Sequence, residues 1–258
     1  LSAASEGDRG RRFGLTLGHQ LFTPNDTDTP LPQPNDRPYA AWAYAGFSFI
    51  FDRGDTLDTW LLNVGIVGPD AKGKDLQESV HELLGANQSY GWANQLGNEL
   101  GGQLIFERRW RGLLQTKGGG LGIDVTPHAG ASVGNIATYA NAGATLRFGS
   151  HLRNDYGAPR IRPSLPGSAF FEPREGFGWY VFAGVDGRAT AYNIFLDGNT
   201  SRESLSVERK PYTVDVQAGA ALIINRVRLT YTYVLRSEEF ETQTEADKFG
   251  SVSISVRF

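Results

Sequence analysis

Gly250-Ser251-Val252-Ser253-Ile254-Ser255-Val256-Arg257-Phe258 closes the chain, with Gly250, Val252, Ile254, Val256 and Phe258 on one face and Ser251, Ser253, Ser255 and Arg257 on the other. Successive side chains of a strand point to opposite faces, so this unbroken alternation predicts a β-strand with one apolar and one polar face. Upstream, Val227, Leu229, Tyr231 and Tyr233 alternate with Arg226, Arg228, Thr230 and Thr232, and the short Asn225-Arg226 step separates that run from a strand over about 211–223. Two such runs joined so tightly read as an up-and-down hairpin. Further candidate strands are 12–22, 38–51, 57–67, 97–110, 122–132, 139–148 and a long run from 178 to about 196, which makes ten.

Composition agrees with one large all-β domain spanning 1–258: 258 residues, 32 Gly, 12% aromatic residues and a net charge of -3. Nothing in that charge suggests a nucleic-acid partner. No window approaches 18 consecutive apolar residues, which excludes a spanning helix and leaves a membrane barrel open, because barrel strands alternate. The absence of cysteine rules out disulfides and a thiol nucleophile. The chain contains no Met, even at position 1, and residues 1–10 carry no export signal, which reads as a processed or truncated chain.

The strand runs pair a Leu/Val/Tyr face with a Ser/Thr/Arg/Gln face, the apolar-out, polar-in pattern of an outer-membrane barrel. A soluble sandwich or lipocalin-like barrel is the alternative, and its lumen chemistry would be reversed. Phe258 at an outward position resembles the terminal aromatic of bacterial outer-membrane proteins. The expected fold is therefore a transmembrane antiparallel up-and-down β-barrel.

With the carboxy terminus in the periplasm, counting strands backwards puts connections 23–37, 68–96, 133–138, 197–210 and 238–247 on the outer side. The Pro, Arg and Gly-rich connection 149–176 falls on the periplasmic side. Within 68–96, Asp75 followed by Glu78 resembles a capping box and Gly85 supplies a left-handed stop, predicting a helix over about 76–84. Gln77 and His81, four apart, share its polar face, while Leu76, Val80, Leu83 and Leu84 form an apolar stripe for the barrel wall or lipid. The Gln77 amide oxygen is placed to fix the His81 tautomer and leave the other ring nitrogen as a general base. The plainer reading is a surface histidine on an amphipathic loop helix.

Asp36-Arg37-Pro38-Tyr39-Ala40 with Trp42, then Gly65-x-x-Gly68-Pro69-x-Ala71-x-Gly73, Gln77, His81, Gly91-Trp92, Gln95, Asn98-Glu99 and Gly134-Asn135 resemble the outer-membrane lipid A 3'-O-deacylase family. The likeness covers residues 12–258 in strand order and is densest from 36 to 99. It implies a twelve-stranded barrel in the bacterial outer membrane, monomeric, with a site facing the outer leaflet between the wall and an extracellular-loop helix. His81 takes the position of the family's catalytic histidine, which activates water to hydrolyse the 3'-linked acyl or acyloxyacyl ester of lipid A in a calcium-dependent reaction. Gln77 would then support His81; Arg37, Lys72 and Lys74, on the outer side, are candidates to meet lipid A phosphates, with ordinary rim charges an equal alternative. The metal ligands are not identified.

The chain departs from the family in one respect. The family carries an Asn-Asp pair on its first strand and a hydroxyl residue early on its second, and neither has a counterpart here. Strand 12–22 corresponds to the family's third, so an amino-terminal hairpin is expected to be missing. Asn25-Asp26 and Asn35-Asp36 sit in the next loop and do not match. That loop, with Asp28, is oxygen-rich enough for a hard cation, although a proline-rich solvated loop explains it as simply. His19 and His128 have no metal-ligand partner at suitable spacing, and His151 falls on the periplasmic side. Gly-x-Ser-x-Gly is absent, which argues against a covalent acyl-enzyme. Two other readings are an inactive barrel acting as channel or scaffold, and an outer-membrane phospholipase.

Overall fold

The computed structural model describes residues 10–112, 114–118, 120–150, 152 and 176–256, with no side chains described for 114–118. Its strands are β1 (Gly10–Phe22), β2 (Ala40–Asp52), β3 (Thr56–Val67), β4 (Glu99–Trp110), β5 (Leu114–Gly118), β6 (Leu121–Gly134), β7 (Ala137–Ser150), β8 (Phe177–Asn193), β9 (Tyr212–Ile224), β10 (Val227–Arg236) and β11 (Asp247–Val256). Two α-helices, α1 (Gly73–Leu84) and α2 (Ile194–Asp197), lie in the connections.

Every ladder is antiparallel, in the order β1-β2-β3-β4-β6-β7-β8-β9-β10-β11. β4 pairs with the second half of β6 and β5 with the first, so these two share one place and the wall has ten positions. Those ten match the periodic runs; a twelve-position wall is not present among the described residues, where no ladder joins β1 to β11. The fold is an antiparallel membrane-barrel wall. Residues 1–9, His151, most of the 149–176 connection and Phe258 lie outside the described residues.

Two details differ from the periodicity. β5 is a five-residue strand flanked by glycines, too short to show an alternation. The run expected as strand to about 196 turns at Asn193, whose side chain accepts from Phe195 N at 3.1 Å. Ile194, Phe195 and Leu196 are all buried, and a helical turn buries three consecutive side chains where a strand would expose the middle one.

Faces follow the alternation. Phe13, Leu15 and Leu17 on β1, Phe47 and Phe49 on β2, Trp60, Leu62 and Val64 on β3, and Val252, Ile254 and Val256 on β11 are exposed, with Leu17 reaching 90%. Gln103, Asp124, His128, Arg147, Asp186, Asp215, Arg228 and Arg236 are buried on the opposite, luminal face. At the rim carrying the long connections, an apolar plug of Trp42, Val67, Leu96, Ile136, Ile194 and Phe195 fills the lumen. Phe22 stacks on Phe195 at 3.9 Å and Tyr44 on Trp42 at 4.2 Å.

A chain of ion pairs climbs the lumen to this rim. Arg188 lies 3.7 Å from Asp215, which Arg236 grips at 2.8 and 2.9 Å; Arg236 reaches Glu239 at 3.6 Å. Arg37 then donates to Glu239 at 3.0 Å and to Asp247 at 3.2 Å. Burial pushes the Glu239 carboxyl up, but Arg236, Arg37 and Arg188 outweigh it and hold the group below its ordinary range. A depressed folded-state pKa means the stabilisation is full above the unfolded value, about 4.3, and drains away as the pH falls through the lower folded value. Segment 237–246 should therefore resist protease at neutral pH and open in acid, below about pH 4. A Glu239→Gln variant should be open at neutral pH with little further change; matching pH profiles for the two proteins would show that these ion pairs do not hold the segment.

Candidate active site

Helix α1 rests on the outside of the wall. After β3 the chain turns at Gly68 (φ 102°), whose place for a Cβ is filled by the Gly97 and Asn98 backbone, and makes a 3-10 turn over Pro69–Ala71. Lys72 sits in the left-handed region (φ 58°) and its carbonyl accepts from Leu76 N at 3.1 Å, opening the helix at Gly73. The helix thus starts before the expected Asp75 cap: the 3-10 turn feeds straight into it and no side chain caps it. Asp75 falls instead in the first turn, where a carboxylate favours the helix dipole. Its end is the predicted one, with Gly85 at φ 65° and Ala86 N donating to His81 O at 2.9 Å.

Leu21, Ala41, Ala43 and Ile66 share the outward parity of Leu17, Phe47 and Val64, and they pack with Tyr39, Ala71 and Trp92 into a cluster outside the barrel. Gly73 sets the helix against it. A Cβ there would stand 2.3 Å from Ala41 Cβ, 2.8 Å from Trp92 Cη2 and 3.0 Å from Leu21 Cδ2. Gly73→Ala must lift the amino-terminal end of α1 off the wall. If α1 carries the chemistry, kcat/KM should fall about tenfold, since displacements of an ångström at a site reach 10²-fold, while the barrel's unfolding midpoint stays put; unchanged kinetics would separate α1 docking from activity.

Gln77 points to the wall side, but its partner is not His81. Its Oε1 accepts from Trp92 Nε1 at 2.7 Å, and Trp92 leans on the Tyr39 ring at 5.1 Å. The expected Gln77–His81 contact is replaced by a tie between helix and wall. His81 Nδ1 instead lies in hydrogen-bond contact with the carbonyl of Asn87. A carbonyl only accepts, so the ring proton belongs on Nδ1 and the lone pair on Nε2.

Arg37 is not at this site. Its guanidinium is held by Glu239 and Asp247 and lies 5.7 Å from the Phe240 ring centre, so its charge is already matched and it is not placed to take a lipid phosphate. Lys72 and Lys74 are exposed at the start of α1, with Lys74 3.7 Å from Glu78. Leu76, Val80, Leu83 and Leu84 are exposed on the face away from the wall, Leu83 at 84%.

The oxygen-rich loop folds on itself. Asp36 Oδ2 accepts from Asn25 N at 2.8 Å, Asp36 Oδ1 from Arg37 N at 2.7 Å and Asp26 Oδ1 from Asp28 N at 2.9 Å. It also leans on the segment after α1, where Tyr90 N donates to Thr27 O at 2.9 Å and Asn94 Nδ2 to Pro30 O at 2.8 Å. Among the described residues no group of three or more His, Cys, Asp or Glu side chains is placed to hold a metal ion. His128 is luminal, its Nε2 2.8 Å from Asp186 Oδ2, which also accepts from Asn141 at 3.0 Å.

A family model for the outer membrane protein LpxR matches residues 1–258. The chain belongs to the LpxR family. Among solved structures, LpxR from Salmonella typhimurium matches with a TM-score of 0.85 and 19% identity, covering 100% of this chain and 86% of that one. The search of curated proteins found no match. The structural likeness shows a shared barrel fold, and the family places this barrel in the outer membrane. In this LpxR-family barrel, two residues had been given no role: Trp92, which anchors Gln77, and Asn87, whose carbonyl sets the His81 tautomer. The Gly91-Trp92 pair was visible in the sequence. A backbone carbonyl leaves no sequence signal.

Proposed function

We propose that the protein is an outer-membrane esterase that removes the 3'-linked acyl or acyloxyacyl chain of lipid A. The observation that carries this reading is His81 on a helix docked outside the wall, with its proton pinned to Nδ1 by the Asn87 carbonyl. A bare Nε2 is the form needed to take a proton from water. The resulting hydroxide adds to the ester carbonyl, and the tetrahedral intermediate collapses with the sugar oxygen as leaving group. The imidazolium returns its proton to that oxygen, giving a free fatty acid and a 3'-hydroxyl.

The Asn87 carbonyl holds the ring through both protonation states, because Nδ1–H is present in each. Lys72 and Lys74, exposed at the head of α1, are our candidates for the lipid A phosphates. The site would face the outer leaflet, where lipid A resides, and a single chain carries the wall, helix and histidine. The test is the mass of lipid A after exposure to the folded protein, with and without calcium. Loss of the 3'-linked acyl mass supports the reading, and release of fatty acid from phospholipid alone would replace it with a phospholipase.

A further inference from the structure

β4 outruns one of its neighbours at the outer rim. Its ladder with β3 continues up to Glu99, opposite Val67, whereas its ladder with β6 stops at Gln103, opposite Gly134. Backbone groups above that point need partners of another kind on the β6 side, and two asparagines supply them. Asn135, in the turn after β6, accepts from Gly102 N at 2.8 Å and donates to Leu100 O at 2.7 Å. Asn199, after α2, accepts from Gly97 N at 2.9 Å and donates to Gly97 O at 3.0 Å. Each side-chain amide, acceptor and donor at once, stands in for a neighbouring strand. Glu99 joins the two. Its carboxylate accepts from Asn135 Nδ2 and from Asn199 Nδ2, each at 3.1 Å, from Thr200 N at 2.9 Å and from the Thr200 hydroxyl. An ionised carboxyl only accepts and offers about four lone-pair sites, so it can gather donors that a neutral amide could not.

The tip of β4 held in this way carries the root of α1. A Cβ at Gly68 would stand 2.7 Å from the Gly97 carbonyl and from Asn98 N, and Asn98 Oδ1 accepts from Asp70 N at 2.9 Å in the 3-10 turn that feeds the helix. We propose that Glu99 is a positioning residue: by fixing the tip of β4 it sets where α1 leaves the rim, and with that the place of His81. The connection after α2 is then a strap across the rim, drawn onto β4 by Asn199 and Thr200. Gly73 and Gln77 hold α1 flat against the wall, and Glu99 holds its origin. This assignment rests on the lipid A reading for the reaction that α1 serves, and on the rim geometry for the positioning itself.

The chain has no cysteine, so Leu83→Cys on α1 and Val216→Cys on β9, both exposed positions, give two defined sites for spin labels. In the folded barrel in detergent we expect one narrow distance between the labels with Glu99 in place and a broad distribution in Glu99→Ala. Without labels, Glu99→Ala should lower kcat on lipid A about tenfold, inside the roughly 10²-fold that an ångström of displacement costs. KM should change little, because Glu99 bonds the rim and not the lipid. Glu99→Gln, which keeps one acceptor oxygen, should recover part of the loss. Should Glu99→Ala fail to fold, Thr200→Val decides: it removes the hydroxyl donor, leaves the carboxylate in place and should broaden the distances in the same sense, while Thr200→Ser restores them. An unchanged distribution in the folded variants, or a broad one with the parent's kcat, overturns the proposal. A broad distribution in a protein whose parent does not deacylate lipid A supports the positioning of α1 and fails the lipid A reading.

Discussion

Lipid A incubated with a His81→Ala variant should keep its 3'-linked acyl chain under conditions in which the wild-type protein removes it. The expected loss in kcat is about 10²–10⁴-fold, the contribution of a positioned general base. The size of the effect follows from how completely the ring is organised. Its tautomer is fixed by Asn87, its helix is tied to the wall through Gln77 and Trp92, and Gly73 lets that helix sit close. Alanine removes the base together with its Nδ1 bond to Asn87, and leaves the Gln77–Trp92 tie and the Gly73 contact with the wall standing. The readout is the mass of lipid A over time, with the heat-induced shift in gel mobility of the barrel as the check on folding. Equal deacylation by both proteins would remove His81 from the chemistry, and intact lipid A with folded wild type would turn the reading towards a passive barrel.

The second large effect concerns the wall. Asp215→Ala should destabilise the barrel by about 3–5 kcal/mol, the cost of breaking a buried ion pair by deleting one partner. Asp215 accepts both arms of Arg236 and faces Arg188, and both Asp215 and Arg236 are almost fully buried. Its removal would take away the carboxylate that Arg188 and Arg236 share. Urea unfolding in lipid vesicles measures the loss. Asp215→Asn, which keeps the acceptor oxygen, should cost less. A change under about 1 kcal/mol in Asp215→Ala, the range of a screened surface pair, would mean that water reaches this tier of the lumen.

Much of the wall could be read from alternation alone because a membrane barrel sorts its residues by solvent on both faces. Arg228, Thr230 and Thr232 had to face the lumen once Leu229, Tyr231 and Tyr233 faced lipid, and they do. The pattern fails where burial no longer alternates. Ile194-Phe195-Leu196 looks like a strand and forms a turn of helix inside the plug. At the site, periodicity brought Gln77 and His81 to one helix, but it carried no information about what each would bond. Gln77 found Trp92, 15 residues on, and Arg37 found Glu239 and Asp247 on the far side of the sequence. An arginine that binds phosphate and one that binds two carboxylates look alike in sequence; only the fold distinguishes them. The start of α1 was hidden for a similar reason, because Lys72 in a left-handed conformation carries no capping chemistry.

The apolar stripe of α1 has a kinetic consequence. Leu76, Val80, Leu83 and Leu84 face away from the wall, and apolar surface of this kind gains about 25 cal/mol for every Å² withdrawn from water. Such a stripe suits a helix lying in the surface of the leaflet with its apolar side in the acyl layer. On the proposed function, a catalyst held in this way would draw molecules arriving sideways within a two-dimensional fluid. Its turnover would be governed by the mole fraction of substrate among the surrounding lipids, so inert lipid added to the sheet should slow it while water added to the suspension should not.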